Sequence, residues 1–137
     1  MKITSINNEI TNSLTIEEAI DAITLLVNCT RLDGIVVHEI RVVGSIAGFI
    51  HLGCDANYIL IRKDLSIQQK AWVLAHEVGH ACTVHQFTPE ELESDLIFGN
   101  NYELIARVER AADEWAAAFL NPPWRNKEVK DFVACVA

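Results

Sequence analysis

Apolar side chains recur along this chain first at helical spacing, then in short alternating runs, then at helical spacing again. Thr15 followed by Glu18 is a capping-box pattern, and Ile16, Ala19, Ile20, Ile23 and Val27 then fall three or four residues apart. The spacing predicts an amphipathic helix from Thr15 to about Cys29, with Gly34 ending the unit. Three β-rich runs follow, Ile35 to Val43, Ser45 to Leu52 and Asn57 to Arg62, with Gly44 and Gly53 at the corners and a Cys54-Asp55-Ala56 turn. They predict a small antiparallel or mixed three-stranded sheet. Ser66 and Gln69 repeat the capping box and open a helix through Trp72, Val73, Leu74 and Ala75 into His76-Glu77-Val78-Gly79-His80. A last helix spans Tyr102 to Leu120, with Ile105, Val108, Ala112, Trp115, Ala116 and Phe119 as its apolar stripe, and Asn121-Pro122-Pro123 stops it. Helix, strands, helix, helix make an α+β fold, and 137 residues supply one core, so a single domain over residues 1–137 is expected.

Composition narrows the function classes. Half the residues are hydrophobic and 22% are charged, which is globular rather than disordered composition. A formal net charge of −8 with the few basic residues dispersed argues against a nucleic-acid surface, which needs clustered Lys and Arg to release counterions. No apolar run reaches membrane-spanning length, and the start of the chain turns polar at Asn7, Asn8 and Glu9 instead of entering a signal-peptide core. Cys29, Cys54, Cys82 and Cys135 form no C-x-x-C pair and read as thiols in a reducing cytoplasm, with disulfides as the lesser alternative.

The chemistry lies in H-E-x-x-H. Histidines four apart stack on one helix face, so His76 and His80 can offer ring nitrogens to one Zn²⁺. Glu77 is offset around the helix, where it can take a proton from a water activated by the metal and later deliver it to the leaving amine. The motif is short, and its bland reading is an amphipathic helix with two polar-face histidines. Gly79 in mid-helix costs about 1 kcal/mol relative to Ala and asks for a reason, such as close approach of another segment.

A catalytic zinc needs a third protein ligand. A metzincin would place a glycine at Thr83 and a histidine at Gln86, and this chain has neither. On a helix of about 3.6 residues per turn, Glu109 falls inside the apolar stripe of the last helix, with Asp113 one turn on, while Arg107, Arg110 and Glu114 point away. A carboxylate facing a core is costly unless paired or metal-bound. Glu109 is therefore the expected third ligand, and Asp113 the acceptor for the free nitrogen of a zinc histidine. The alternative is a buried salt bridge from Glu109 to Arg41 or Arg62.

The run Ala75 to His80, followed by Glu109-Arg110-Ala111-Ala112-Asp113-Glu114-Trp115-Ala116-Ala117-Ala118-Phe119-Leu120-Asn121-Pro122, resembles the ImmA/IrrE family of metallo-endopeptidases. That family pairs an H-E-L-G-H helix with E-x-x-A-[ND]-x-F-A-A-x-L-L-x-P, and its E-x-x-x-D spacing is the gluzincin one. Trp115 replaces the usual Phe and Phe119 a Leu, and the likeness spans roughly Ile46 to Pro122. The short tail from Trp124 departs from the longer helical extension of many members, and no DNA-binding or sensor domain is seen.

The resemblance implies a minimal zincin-like domain with one Zn²⁺ per chain, acting in the cytoplasm of a bacterial host or phage-infected cell. Its implied activity is site-specific cleavage of a regulatory protein, typically a helix-turn-helix repressor encoded nearby on a phage or mobile element. The competing class is a zinc-stabilised binding module or antirepressor that sequesters a regulator without cutting it. Glu77 is superfluous to that module, and a structural zinc normally takes four protein ligands. His and carboxylate ligands also accept Mn²⁺, Co²⁺ or Fe²⁺. In zinc proteases of this architecture an edge strand beside the active helix pairs with substrate, which nominates Asn57 to Arg62, unless that strand is internal. His85 and Tyr102 are the nominees for a transition-state donor.

Overall fold

The computed structural model describes residues 5–41, 46–53, 55–88, 90 and 102–121. The expectations for Val42, Val43, Gly44, Ser45, Cys54, Cys135, the Pro122-Pro123 stop and the tail lie outside them. Three strands, β1 (Ile35–Ile40), β2 (Gly48–Leu52) and β3 (Asn57–Arg62), form a sheet against which α2 (Ile16–Leu32) and α3 (Ile67–Thr83) pack, while α1 (Asn8–Ser13) and α4 (Tyr102–Leu120) pack on α3. The architecture is the α+β arrangement that the hydrophobic pattern predicts.

Both capping boxes form. The Thr15 hydroxyl accepts from the Glu18 N–H while the Glu18 carboxylate accepts from the Thr15 N–H, and Ser66 and Gln69 repeat the exchange at α3. Helix α2 ends where Gly34 adopts φ +75°, a conformation that other residues rarely take. Helix α1 was not foreseen. Its signal is Asn7, whose side chain accepts from the Ile10 N–H as an N-cap.

The buried face of α2 differs from the expected stripe. Ala19, Ala22, Leu26, Cys29 and Thr30 are buried, Ile23 and Val27 lie at the margin, and Ile16 and Ile20 are exposed. The helix is apolar on two adjoining faces, and the one with small residues, Ala19 and Ala22, turns inward. Alanines let backbones approach closely, and α2 packs on α3.

The sheet is mixed, in the order β1-β3-β2, with β1 parallel and β2 antiparallel to β3. The strand Asn57–Arg62 is therefore internal, with ladder partners on both sides. This corrects its nomination as the substrate-pairing edge: a parallel partner separated by a crossover, β1, takes the side that a simple meander would leave open.

Helix α3 runs through the middle. It packs against α1, α2, β2, β3 and α4, and every residue from Ala71 to Thr83 is buried. Trp72 is sealed in the core, with its indole N–H donating to the Ser5 carbonyl at 2.8 Å. Truncating such a side chain to Ala costs about 3–5 kcal/mol. Among the described cysteines, Cys29 and Cys82 are buried thiols outside any disulfide, and burial, aided by the charge of Asp33, pushes Cys29 up. No helix among the described residues is long and apolar enough to cross a membrane.

Candidate metal centre

Helix α3 carries its polar motif inside the protein. His76 and Glu77 are each 1% exposed and His80 7%. Burying three polar groups on one helix is costly unless each has a partner, and α4 provides several of them. Its docking is close because of Gly79. A Cβ at that position would come within 2.8 Å of the Ala112 carbonyl oxygen, 3.2 Å of the Ala112 Cα and 3.3 Å of the Trp115 Cβ. The expected reason for a glycine in this helix is thus present: the backbone of α4 occupies the space of its side chain. The Thr83 hydroxyl donates to the Gly79 carbonyl at 2.7 Å just beneath this contact.

Close docking brings Glu109 over the two histidines. Its Oε2 lies 2.9 Å from His76 Nε2 and its Oε1 3.4 Å from His80 Nε2, while the two Nε2 atoms are 3.0 Å apart. One ligand atom from each of the three residues falls within 4.8 Å of the others. A tetrahedral ion with ligands at about 2.0–2.1 Å separates them by about 3.3 Å, so the donor set fits one small divalent cation. Glu109 faces the two histidines, and the Arg62 guanidinium pairs with Asp64 at 2.7 Å.

Proton placement gives the same answer. The Asp113 Oδ1 lies 2.7 Å from His76 Nδ1, and a carboxylate there requires Nδ1–H as donor. A neutral His76 then presents its Nε2 lone pair to the carboxylate of Glu109. Two acceptors at 2.9 Å repel unless a cation lies between them. Without metal, that cation is a proton. Burial opposes charge on the His76 imidazole, but the Glu109 hydrogen bond and the nearby charges of Glu77, Glu109 and Asp113 outweigh it and hold its pKa above the ordinary histidine value. A bound metal ion would be held by the same His76 Nε2 lone pair in place of that proton.

The exposures of the two halves differ. The side chains of Glu109 and Asp113 are 22% and 45% exposed, so α4 lies at the rim of the site and α3 at its floor. The expected stripe of α4 holds in part: Ala112, Ala116 and Phe119 are buried, Ile105, Val108 and Trp115 are half-buried, and Arg107, Arg110 and Glu114 face solvent. Leu104 is a further buried member that the sequence reading left out. His85 and Tyr102 are both exposed, Tyr102 at the opening of α4 two turns before Glu109. One residue missed in the sequence touches the motif from the other side: Gly48, at the start of β2, packs against Glu77.

Neither the curated proteins nor the solved structures yield a significant match to this chain. A sequence model of the peptidase family M78, described as the IrrE N-terminal-like domain, matches residues 33–123, about two thirds of the chain and all of the metal cluster. With that match and a His-His-Glu cluster fit for a metal ion, the chain belongs to the IrrE N-terminal-like metallopeptidase family.

Proposed function

We propose that this chain is a zinc-dependent endopeptidase that cuts a regulatory protein, with a helix-turn-helix repressor as the expected substrate, and that it works in the cytoplasm with one zinc per chain. The observation that carries the reading is Glu77. It is a carboxylate buried to 1% exposure on the same helix as the metal cluster yet outside it. A purely structural metal has no use for such a group, whose burial when uncompensated is unfavourable by about several kcal/mol.

In this reading His76, His80 and Glu109 hold the zinc, which when bound lowers the pKa of water and polarises the scissile carbonyl. Glu77 accepts a proton from the attacking water as its oxygen bonds to the carbonyl carbon. The same carboxyl then gives that proton to the leaving nitrogen as the C–N bond breaks. Asp113 keeps His76 in the Nδ1–H tautomer and fixes the ring's orientation. Strand β2 lies at one side of the sheet beside α3, so its outer edge, and not that of β3, is the support for extended substrate.

The test is co-incubation of the zinc-loaded protein with a repressor from the same genetic neighbourhood. A single peptide cut, abolished by chelator and reduced about 10²–10⁴-fold in a Glu77→Gln variant that retains its metal, is expected. Binding of the repressor without any cut would instead favour a sequestering module.

A further inference from the structure

Helix α2 turns small residues inward and leaves branched aliphatics outside. Ala19 and Ala22 are fully buried, while Ile16 is 59% and Ile20 47% exposed, and Ile23 and Val27 lie at the margin of the core. The four aliphatics are spaced four, three and four residues apart, so at about 100° per residue they fall within an arc of about 60°. That spacing is the narrow a/d seam of a coiled coil, and it adjoins the face that packs on α3. Apolar residues scattered singly over a surface need no explanation, but an unbroken seam of about three turns marks a contact surface.

The charges of α2 identify what covers the seam. Glu18 and Asp21 lie away from it, and Glu18 is held in the capping box. Glu17 and Arg31 flank the seam on one side, at equal distances before and after Thr24. Both are exposed, neither is in an ion pair with a described residue, and the Arg31 guanidinium donates to the Asn28 side-chain oxygen at 3.2 Å. A flank with an acid at one end and a base at the other is complementary to its own reverse. We propose that α2 pairs antiparallel with α2 of a second copy of this chain, about a two-fold axis near Thr24. Glu17 of each copy then meets Arg31 of the other, and Ile20, Ile23 and Val27 interleave between them. Parallel pairing would set Glu17 against Glu17 and Arg31 against Arg31, and would align the helix dipoles instead of opposing them. Helix α2 is already ordered against α3 and β1, so pairing costs little chain entropy. A seam on one helix about 25 Å long makes a small interface, and a small interface gives a weak, concentration-dependent dimer.

The test is sedimentation velocity on the full chain from about 5 to 500 µM, for wild type, Ile20→Glu, Glu17→Arg, Arg31→Glu and the double variant Glu17→Arg/Arg31→Glu. Wild type is expected to pass from monomer to dimer across this range, and Ile20→Glu, which sets a charge in the seam, to bind itself at least about tenfold more weakly. Each single charge variant replaces two attractive pairs per dimer by two repulsive ones and should weaken association by about 3–10-fold. The double variant exchanges the two ends and should recover wild-type association. Glu17→Arg mixed with Arg31→Glu should form a heterodimer tighter than either variant forms alone, since each repelling pair then becomes an attracting one. A wild type that stays monomeric to the highest concentration would overturn the proposal, as would a dimer that Ile20→Glu leaves unchanged. Single charge variants that weaken the dimer with no recovery in the double variant or the mixture would overturn the antiparallel pairing. The charge variants leave the aliphatic seam intact, so they decide the matter if Ile20→Glu does not fold.

Discussion

Helices α3 and α4 contribute to the same metal cluster by different means. From Ala71 onward α3 is buried on every side, and its three polar motif residues are locked by the packing around them. Helix α4 is amphipathic, with one face on α3 and the other in water, and its Glu109 and Asp113 side chains are partly exposed. The rigid half therefore sets where the histidine nitrogens are, and the rim half supplies charge that can adjust to whatever cation arrives. Rigidity has a consequence for mutation: defects in α3 are absorbed by nothing, whereas defects in α4 can relax toward solvent.

The largest expected effect is in the buried half. His76→Ala or His80→Ala removes a ligand from the buried floor of the site. Isothermal titration should show zinc affinity lost beyond about 10³-fold. A smaller change breaks the junction between the halves. Gly79→Ala improves helix propensity by about 1 kcal/mol, yet its methyl meets the Ala112 backbone at 2.8 Å, and backbone cannot rotate away. Overpacking of about 1–3 kcal/mol should win, so the melting temperature and metal affinity are predicted to fall together. A variant as stable as wild type would show that α4 docks less tightly than described.

On the rim, Asp113→Asn keeps shape but weakens the hold on the His76 Nδ1–H. About 10–100-fold lower metal affinity is expected, with the melting temperature of the stripped protein nearly unchanged. The smallest effect concerns pH. In the metal-free protein the pKa of His76 is raised by folding, so its contribution to stability is full below the unfolded value and is lost as pH rises through the folded value. Metal competes with that same proton, so its binding strengthens over the same range, by about tenfold per pH unit for one proton released. The melting temperatures of loaded and stripped protein should therefore diverge as pH rises from 6 to 8. Parallel curves would detach His76 from the metal.

Much of this contrast is legible in sequence because it rests on local periodicity. The i, i+4 histidines, the capping boxes and the position of Glu109 within an apolar stripe all depend on the helix period alone, and each appears in the structure. The mid-helix Gly79 was readable as a sign of close approach, although not of which segment approached. Strand order was not legible. Nothing within Asn57 to Arg62 reveals that β1 pairs parallel to it across a crossover, since alternating burial looks alike in central and edge strands. Gly48 was missed for the same reason: its close approach to Val73 and Glu77 on α3 is a long-range contact that no local pattern encodes. The α2 face was misjudged because two apolar stripes compete, and tertiary packing against α3 selects the smaller residues.

The most direct test of a metal centre shared between a buried and a rim helix is metal content by mass spectrometry on wild type, His80→Ala, Glu109→Ala and Glu77→Gln, each loaded with zinc and dialysed. About one zinc per chain in wild type and Glu77→Gln, and far less in both ligand variants, is the predicted result. Full zinc in Glu109→Ala, or none in wild type, would contradict it.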